Sequence, residues 1–258
     1  MQPMVQPGSQ AEQVGRLILA VVVVLALPAL PFGNYLIYPF VILTTWFHEM
    51  GHGVTALLLG QHFDYLEIFA DGSGVAVSRT DVDLSALSRA AIAAGGPLAP
   101  CLMGSLLIVA SAHERLWRPA LWATAAAIFA SVIIYVRSPV GFFVLPLVAA
   151  AIGLIAWRAP RALTRFTLQF LGMLGALSML RDFDYLFTEQ AVVGGRQILS
   201  DTGQIEAALF LPHWVWAAII LAICAVSVGA SLKYALNEDR LRGRPAKLPK
   251  NVIQFRKK

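Results

Sequence analysis

Seven long apolar runs dominate this chain and limit the folds that it can adopt. Most of these runs are long enough for an α-helix to cross a hydrocarbon core of about 30 Å. Lipid offers the backbone no hydrogen-bond partners, whereas a helix satisfies its own N–H and C=O groups. The pattern therefore predicts an all-α polytopic membrane protein with about seven transmembrane helices. The apolar runs cover residues 17–32, 36–60, 86–112, 119–136, 140–157, 165–181 and 211–236.

The composition also indicates a protein whose partner is the lipid bilayer. Only 14% of the 258 residues are charged, whereas soluble domains usually carry about 25% charged residues. The net charge is +5, and eight of the 20 Lys and Arg residues follow Leu236. A basic segment beside a transmembrane helix is typical of a cytoplasmic tail that contacts anionic headgroups. Its single aromatic residue, Phe255, argues against nucleic-acid binding, which uses several stacking aromatic side chains.

We predict three regions: a disordered N-terminal segment (1–15), a membrane-embedded domain (16–236) and a basic cytoplasmic tail (237–258). Between the second and third apolar runs, polar and apolar residues alternate around the glycine-rich turn ADGSG, which favours a β-hairpin at about 62–79. A strand edge cannot face lipid, so the hairpin must lie at the interface or pack against the helices. The charged stretch LRDFDYLF at the end of the sixth run suggests a broken or re-entrant helix.

The second run contains His48-Glu49-Met50-Gly51-His52, which matches the pattern H-E-x-x-H. On a helix, residues i and i+4 share one face and lie about 6 Å apart, so both imidazoles can reach one metal ion. Ionisable side chains at membrane depth are costly unless a partner compensates them. Since the rest of this run is almost entirely apolar, the motif predicts a metal site with His48 and His52 as ligands.

Zinc suits this arrangement because imidazole is one of its preferred ligands and a catalytic zinc ion keeps one position open for water. The metal lowers the pKa of that water to about 7. Glu49 follows His48 directly, where its carboxylate can approach the water without binding the metal. We therefore predict that Glu49 is the general base of a hydrolytic reaction, which takes a proton from the zinc-bound water and passes it to the leaving amine.

The segment HEMGHG is followed by the hairpin sequence ADGSGVAVSR and then by AAGGPLAP in the third apolar run. Together these segments resemble the site-2 protease family of intramembrane zinc metallopeptidases, in its compact bacterial branch without a PDZ domain. The similarity is best over about residues 36–112 and resumes at ALSMLRDFDYL and LSDTG. It implies an endopeptidase of a bacterial inner membrane that hydrolyses peptide bonds in or near transmembrane segments of membrane proteins, with Glu49 as the base. The oligomeric state is left open.

The same resemblance implies that the third zinc ligand is an aspartate from a later transmembrane segment. Asp182 and Asp184 are the carboxylates at the end of a late apolar run. They lie about 200° apart on an ideal helix, so only one of them can face the metal. We favour Asp182, with Asp184 as the first alternative and Asp201 of LSDTG as the second. An ion pair with Arg181 would explain Asp182 without any metal.

Two other functions are open at this point. The asparagine that often follows the family's G-P motif is missing, with Ala99 and Pro100 in that region. This difference keeps open a catalytically silent metal-binding membrane protein. Buried ionisable groups also suit an ion or proton transporter, although a proton relay needs polar partners on several helices and the first, fourth and fifth apolar runs contain hardly any.

Overall fold

The computed structural model describes residues 10–79 and 84–237. Within these residues the chain forms nine α-helices and two β-hairpins, and one turn of 3₁₀-helix, Leu27–Ala29, joins the first two helices. The helices are α1 (Gln10–Ala26), α2 (Gly33–Leu58), α3 (Ala86–Ser111), α4 (Glu114–Ile134), α5 (Pro139–Arg158), α6 (Arg161–Arg181), α7 (Phe183–Leu186), α8 (Asp201–Ala208) and α9 (His213–Ala235). The strands are β1 (His62–Ile68), β2 (Gly74–Arg79), β3 (Gln190–Val193) and β4 (Arg196–Leu199).

Six helices of the described chain are long and apolar enough to cross a membrane: α1 with the turn that follows it, α3, α4, α5, α6 and α9. By length and composition the chain is therefore a multi-pass membrane protein. All seven apolar runs lie in helices. The run in α2 is not among the six, because the histidines and the glutamate of its motif lower the mean hydropathy of this 26-residue helix. The expectation of a mainly helical membrane protein is confirmed.

The predicted hairpin after α2 is also confirmed, since β1 and β2 pair in antiparallel orientation. In its turn, Gly72 takes the left-handed backbone conformation with a φ of 87°, which glycine adopts without strain. The connection between α4 and α5 covers the outer edge of β1. The Leu66 N–H donates to the Tyr135 carbonyl, and the Arg137 N–H donates to the Leu66 carbonyl, both at 2.9 Å. The edge of β1 thus has the partner that a membrane environment requires.

A second hairpin, formed by β3 and β4, is absent from the sequence-based predictions. Its two-residue loop consists of Gly194 and Gly195, whose φ angles are 55° and 76°. Tight hairpin loops of this kind need positive φ at both positions, so the glycine pair in VVGGRQIL is a signal for it. The tip packs against the first hairpin, because a Cβ on Gly194 would lie 2.6 Å from the Phe69 ring. The two hairpins therefore meet at the same end of the helices.

The stretch LRDFDYLF is a helix break, in agreement with the prediction. Helix α6 ends at Arg181, and the chain continues through the four residues of α7 into the second hairpin. From there it enters the eight-residue helix α8 and returns to the membrane in α9. The segment between α6 and α9 is therefore a compact insertion of short elements.

Helix α3 is the centre of the arrangement and contacts α2, α6, α8 and α9. Its N-terminus is capped by Ser85, whose hydroxyl accepts from the Ser88 N–H at 3.1 Å. A group of buried side chains that includes Cys101 and Cys224 joins α3 to α8 and α9. Helix α3 thus holds α2 and α8, the two helices that carry the site described below, in one rigid framework.

The terminal regions are only partly described. Helix α1 begins at Gln10, inside the segment 1–15 that the sequence predicts to be disordered, and residues 1–9 lie outside the described part of the chain. The predicted basic tail lies outside it as well, from residue 238 onwards.

Candidate metal centre

Three potential metal ligands converge between α2 and α8. His48 Nε2 lies 2.9 Å from Asp201 Oδ2, and His52 Nε2 lies 3.2 Å from Asp201 Oδ1. The two imidazole rings stand one helical turn apart, with their centroids separated by 4.9 Å. One ligand atom from each of the three residues lies within 4.8 Å of the others. A single metal ion can therefore be held by all three side chains.

Local hydrogen bonds set the Asp201 carboxylate in place. Asp201 is the first residue of α8, and Ser200 caps this helix by accepting from the Gly203 N–H at 3.0 Å. The neighbouring Thr202 hydroxyl donates to the Leu186 carbonyl at 2.8 Å, which ties the start of α8 to α7. Only 2% of Asp201 is exposed. The carboxylate is therefore shielded from bulk water and faces the two histidines.

The sequence-based preference for Asp182 disagrees with the structure, which brings Asp201 to the histidines instead. Because α6 ends at Arg181, Asp182 is the residue that terminates the helix, and it pairs with the neighbouring Arg181 at 3.4 Å. Asp184, the first alternative, is an exposed residue of α7. Asp201, the second alternative, is the aspartate that meets the histidines. Its sequence position gives little sign of this, because it lies outside the apolar runs and nothing local indicates that α8 folds back onto α2.

The surroundings of these atoms fit a cation. His52 Nδ1 lies 2.8 Å from the Ile92 carbonyl oxygen; since a carbonyl only accepts, Nδ1 carries a proton, and in the neutral ring Nε2 is then the nitrogen that can bind a metal. Asp201 Oδ2 is buried and lies 2.9 Å from His48 Nε2. A proton or a metal ion between these two atoms compensates the negative charge of the carboxylate. Two imidazole nitrogens and one carboxylate oxygen are a ligand set that zinc prefers.

Glu49 lies beside this cluster without belonging to it. Its side chain turns towards β2, where the backbone N–H of Ala76 donates to the carboxylate. Gly74 leaves room for this contact, because a Cβ there would lie 2.8 Å from Glu49 Oε1. Glu49 is only 5% exposed. The hairpin thus holds the carboxylate next to the ligands, where a general base can reach a reacting group at the metal.

Gly96 of α3 lies directly against the metal ligands. A Cβ at this position would be 2.1 Å from His52 Nε2 and 2.7 Å from His48 Nε2. Helices α2 and α3 are also in close contact at the preceding residue, Gly95, since a Cβ on Gly51 would lie 2.3 Å from the Gly95 carbonyl oxygen. A side chain at position 96 would therefore have to displace the imidazoles or push the two helices apart. The glycine pair of AAGGPLAP allows the backbone of α3 to cover the cluster.

We expect the substitution Gly96→Ala to lower zinc affinity at least about 10-fold, because the added methyl group displaces both imidazoles from their positions. Competition with a chelator of known affinity, on purified and folded protein, measures the change. Gly229→Ala in α9 is a matched control, since nothing lies within 4 Å of a Cβ at that position. Unchanged zinc affinity in the folded Gly96→Ala protein would contradict this account of the contact.

Two cavities reach the cluster from different sides. One, of about 440 Å³, lies between β2, β4 and the first turns of α3. The other, of about 460 Å³, lies between the turn of the first hairpin, the end of α6 and β3. His48, Glu49 and Gly74 line both cavities. The cluster is therefore buried between helices but accessible from both sides.

Tyr185 also lines both cavities, and no sequence motif marks it. Its hydroxyl interacts with the carboxylate and the backbone N–H of Asp201, and its ring centroid lies 6.4 Å from that of His48. Burial, together with the negative charges of Asp201 and Glu49, raises the pKa of Tyr185 well above its usual value. The phenol is therefore protonated at neutral pH and acts as a hydrogen-bond donor beside the ligands.

Comparison with known families identifies the group to which the chain belongs. A model of the family described as Peptidase M50B-like matches residues 16–231. The chain belongs to this Peptidase M50B-like family. The match begins in α1, ends in α9 and includes His48, Glu49, His52 and Asp201. No curated protein and no solved structure matches the chain significantly. The histidine and aspartate cluster therefore lies in a member of a metallopeptidase family, in agreement with the resemblance noted from HEMGHG and AAGGPLAP.

Proposed function

We propose that the protein is an intramembrane zinc endopeptidase that hydrolyses peptide bonds in or near transmembrane segments of other membrane proteins. The observation that carries this proposal is the meeting of His48, His52 and Asp201 around one point, with a buried glutamate beside them. Membership of a peptidase family supports the reaction type. The apolar helices around the cluster support a substrate that is itself embedded in the membrane.

Each polar residue of the cluster has a distinct role in this proposal. His48, His52 and Asp201 would hold a zinc ion, which would supply a Lewis acid that acidifies water and polarises a peptide carbonyl. The Ile92 carbonyl orients His52 through Nδ1 and leaves Nε2 for the metal. Glu49 removes a proton from the attacking water and delivers it to the leaving amine. The Tyr185 hydroxyl supports the Asp201 carboxylate from the side of α7.

The substrate chain has a place to bind in extended form. Within the described residues β2 pairs only with β1, and its residues Gly74, Val75 and Ala76 line the cavity that also contains Glu49. An unwound segment that adds to the edge of β2 away from β1 would form backbone hydrogen bonds there. This arrangement would hold the unwound substrate segment in an extended conformation, with the peptide bond to be cleaved beside the metal.

The proposal predicts metal-dependent proteolysis. We expect the purified protein, reconstituted in liposomes with a panel of single-span reporter proteins, to bind about one zinc ion per chain and to cleave at least one reporter. Cleavage should stop when zinc is removed by 1,10-phenanthroline and return when zinc is added back. Mass spectrometry of the fragments locates the cleaved bond.

Three results would count against the proposal in different ways. Cleavage that continues in metal-free protein would exclude the zinc mechanism. Stoichiometric zinc without cleavage of any reporter would favour the catalytically silent alternative. Ion flux in the same liposomes that survives both chelation and loss of Glu49 would favour a transporter.

A further inference from the structure

A basic cavity lies at the end of the molecule opposite the hairpins. It has a volume of about 610 Å³ and is formed where α4 and α6 begin. The first hairpin packs against the other end of α4 and α5, through Tyr135 and Arg137. Since α4 has 21 residues, the cavity is roughly 30 Å from that hairpin. The cavity is lined by Glu114, Arg115, Trp117, Arg118, Arg161 and Thr164.

Two arginines at this end of the helices are held by specific contacts. The Arg118 guanidinium donates to the carbonyls of Ala156, Trp157 and Ala159 at 2.9, 2.7 and 3.1 Å, which fixes it at the C-terminal end of α5. The guanidinium of Arg158 stacks over the Trp157 ring at 4.3 Å. These contacts fix two positive charges next to an indole ring at the C-terminal end of α5. Tryptophan is typical of membrane interfaces.

The charge of the cavity is not balanced by its own residues. Arg115, Arg118 and Arg161 supply three positive charges to its lining. Glu114 is the one carboxylate among the residues that line the cavity, and it pairs with Arg161 at 3.0 Å. Two positive charges of the lining therefore remain for an external anion.

An apolar groove begins where the basic cavity ends. It runs between α4 and α5 and has a volume of about 480 Å³. Its floor consists of small residues, and its walls are large side chains that are about half exposed. Trp157 joins the two spaces, because its ring lines the groove while its carbonyl accepts from Arg118. The floor contains Ala125, Ala126, Ala149, Ala150 and Gly153, and the walls include Trp122, Phe129, Leu154 and Trp157.

We propose that the cavity and the groove together bind one anionic glycerophospholipid. The phosphate lies among Arg115, Arg118 and Arg161, and an acyl chain occupies the groove between α4 and α5. Guanidinium groups bind phosphate through charge-assisted hydrogen bonds, and basic pockets between transmembrane helices recognise anionic headgroups. Free phosphate would leave the groove unused, and a zwitterionic lipid would bring an ammonium group towards the arginines. An anionic lipid places a phosphate in the basic cavity and an acyl chain in the apolar groove.

Binding measurements on the full-length protein in detergent test this site without reference to proteolysis. Native mass spectrometry with dioleoyl phosphatidylglycerol and dioleoyl phosphatidylcholine compares two lipids with the same acyl chains. We expect wild-type protein to prefer phosphatidylglycerol. The double variant Arg115→Ala and Arg161→Ala should lose roughly 30-fold in affinity for phosphatidylglycerol and little for phosphatidylcholine. The matched control, Arg181→Ala with Arg196→Ala, removes the same charge from the opposite end and should keep the preference.

A second pair of variants tests the groove. Ala126 and Ala127 are both exposed residues of α4, but only Ala126 lines the groove. Ala126→Phe should fill the groove and weaken binding of both lipids at least about 5-fold, whereas Ala127→Phe should not. Equal affinity of the wild type for both lipids would overturn the proposal. So would displacement of phosphatidylglycerol by inorganic phosphate at similar concentrations, or equal effects of the two phenylalanine variants.

Discussion

The substitution Asp201→Ala should remove zinc from the protein, whereas Asp182→Ala should leave the metal in place. Asp201 supplies the only carboxylate oxygens that the described structure brings within 3.2 Å of His48 and His52. Loss of a residue that merely supports a ligand already weakens metal binding 10 to 100-fold. Loss of a ligand should therefore weaken it by at least about 100-fold, which leaves little zinc after dialysis.

Elemental analysis of purified protein measures the zinc content of each variant, and thermal unfolding in detergent checks that the chain is folded. Asp184→Ala is a further control, because this carboxylate is exposed on α7. All three variants remove one aspartate from the same part of the chain. If Asp182→Ala lost the metal while Asp201→Ala kept it, the arrangement of α8 against α2 described here would be wrong.

The substitution Glu49→Gln should abolish proteolysis while zinc stays bound. Glutamine has nearly the same shape as glutamate, and its carbonyl oxygen can still accept the hydrogen bond from the Ala76 N–H. It cannot take up a proton at neutral pH. General acid and base catalysis contributes about 10²- to 10⁴-fold to a reaction rate, so we expect the cleavage rate to fall by that factor.

The control for this experiment is Glu67→Gln, which removes the same charge from β1 without touching either cavity beside the metal ligands. It should cleave reporter proteins at the wild-type rate. Zinc content must be measured on every variant, so that loss of metal is separated from loss of the base. Undiminished cleavage by zinc-loaded Glu49→Gln protein would show that another group performs the proton transfer.

Much of the fold was predictable because its causes are local. The helices follow from apolar length, and the first hairpin follows from alternation around the glycine-rich turn at Asp71 to Gly74. The second hairpin carries an equally local signal, the loop of Gly194 and Gly195, but its strands are only four residues long and follow a helix break. Helix α2 is a different case, since the residues that make it functional also lower its hydropathy below that of the other spans.

The functional residues divide in the same way. His48, Glu49 and His52 are recognisable from their spacing, because three or four residues separate side chains on one face of a helix. Gly96 and Tyr185 are not recognisable, since their importance depends on what touches them. Gly96 matters because both imidazoles approach its Cα, and Tyr185 matters because α7 turns its hydroxyl towards Asp201.

The sequence by itself determined that this is a helical membrane protein with a pair of histidines and a glutamate at one point of an apolar helix. Hydropathy and helical periodicity can be read from a few consecutive turns of helix, so they need no knowledge of tertiary contacts. Only the tertiary structure decided that Asp201 completes the cluster in place of Asp182. That choice depends on where α6 ends and on how the second hairpin returns α8 to α2 and α3, which are contacts between residues far apart in sequence.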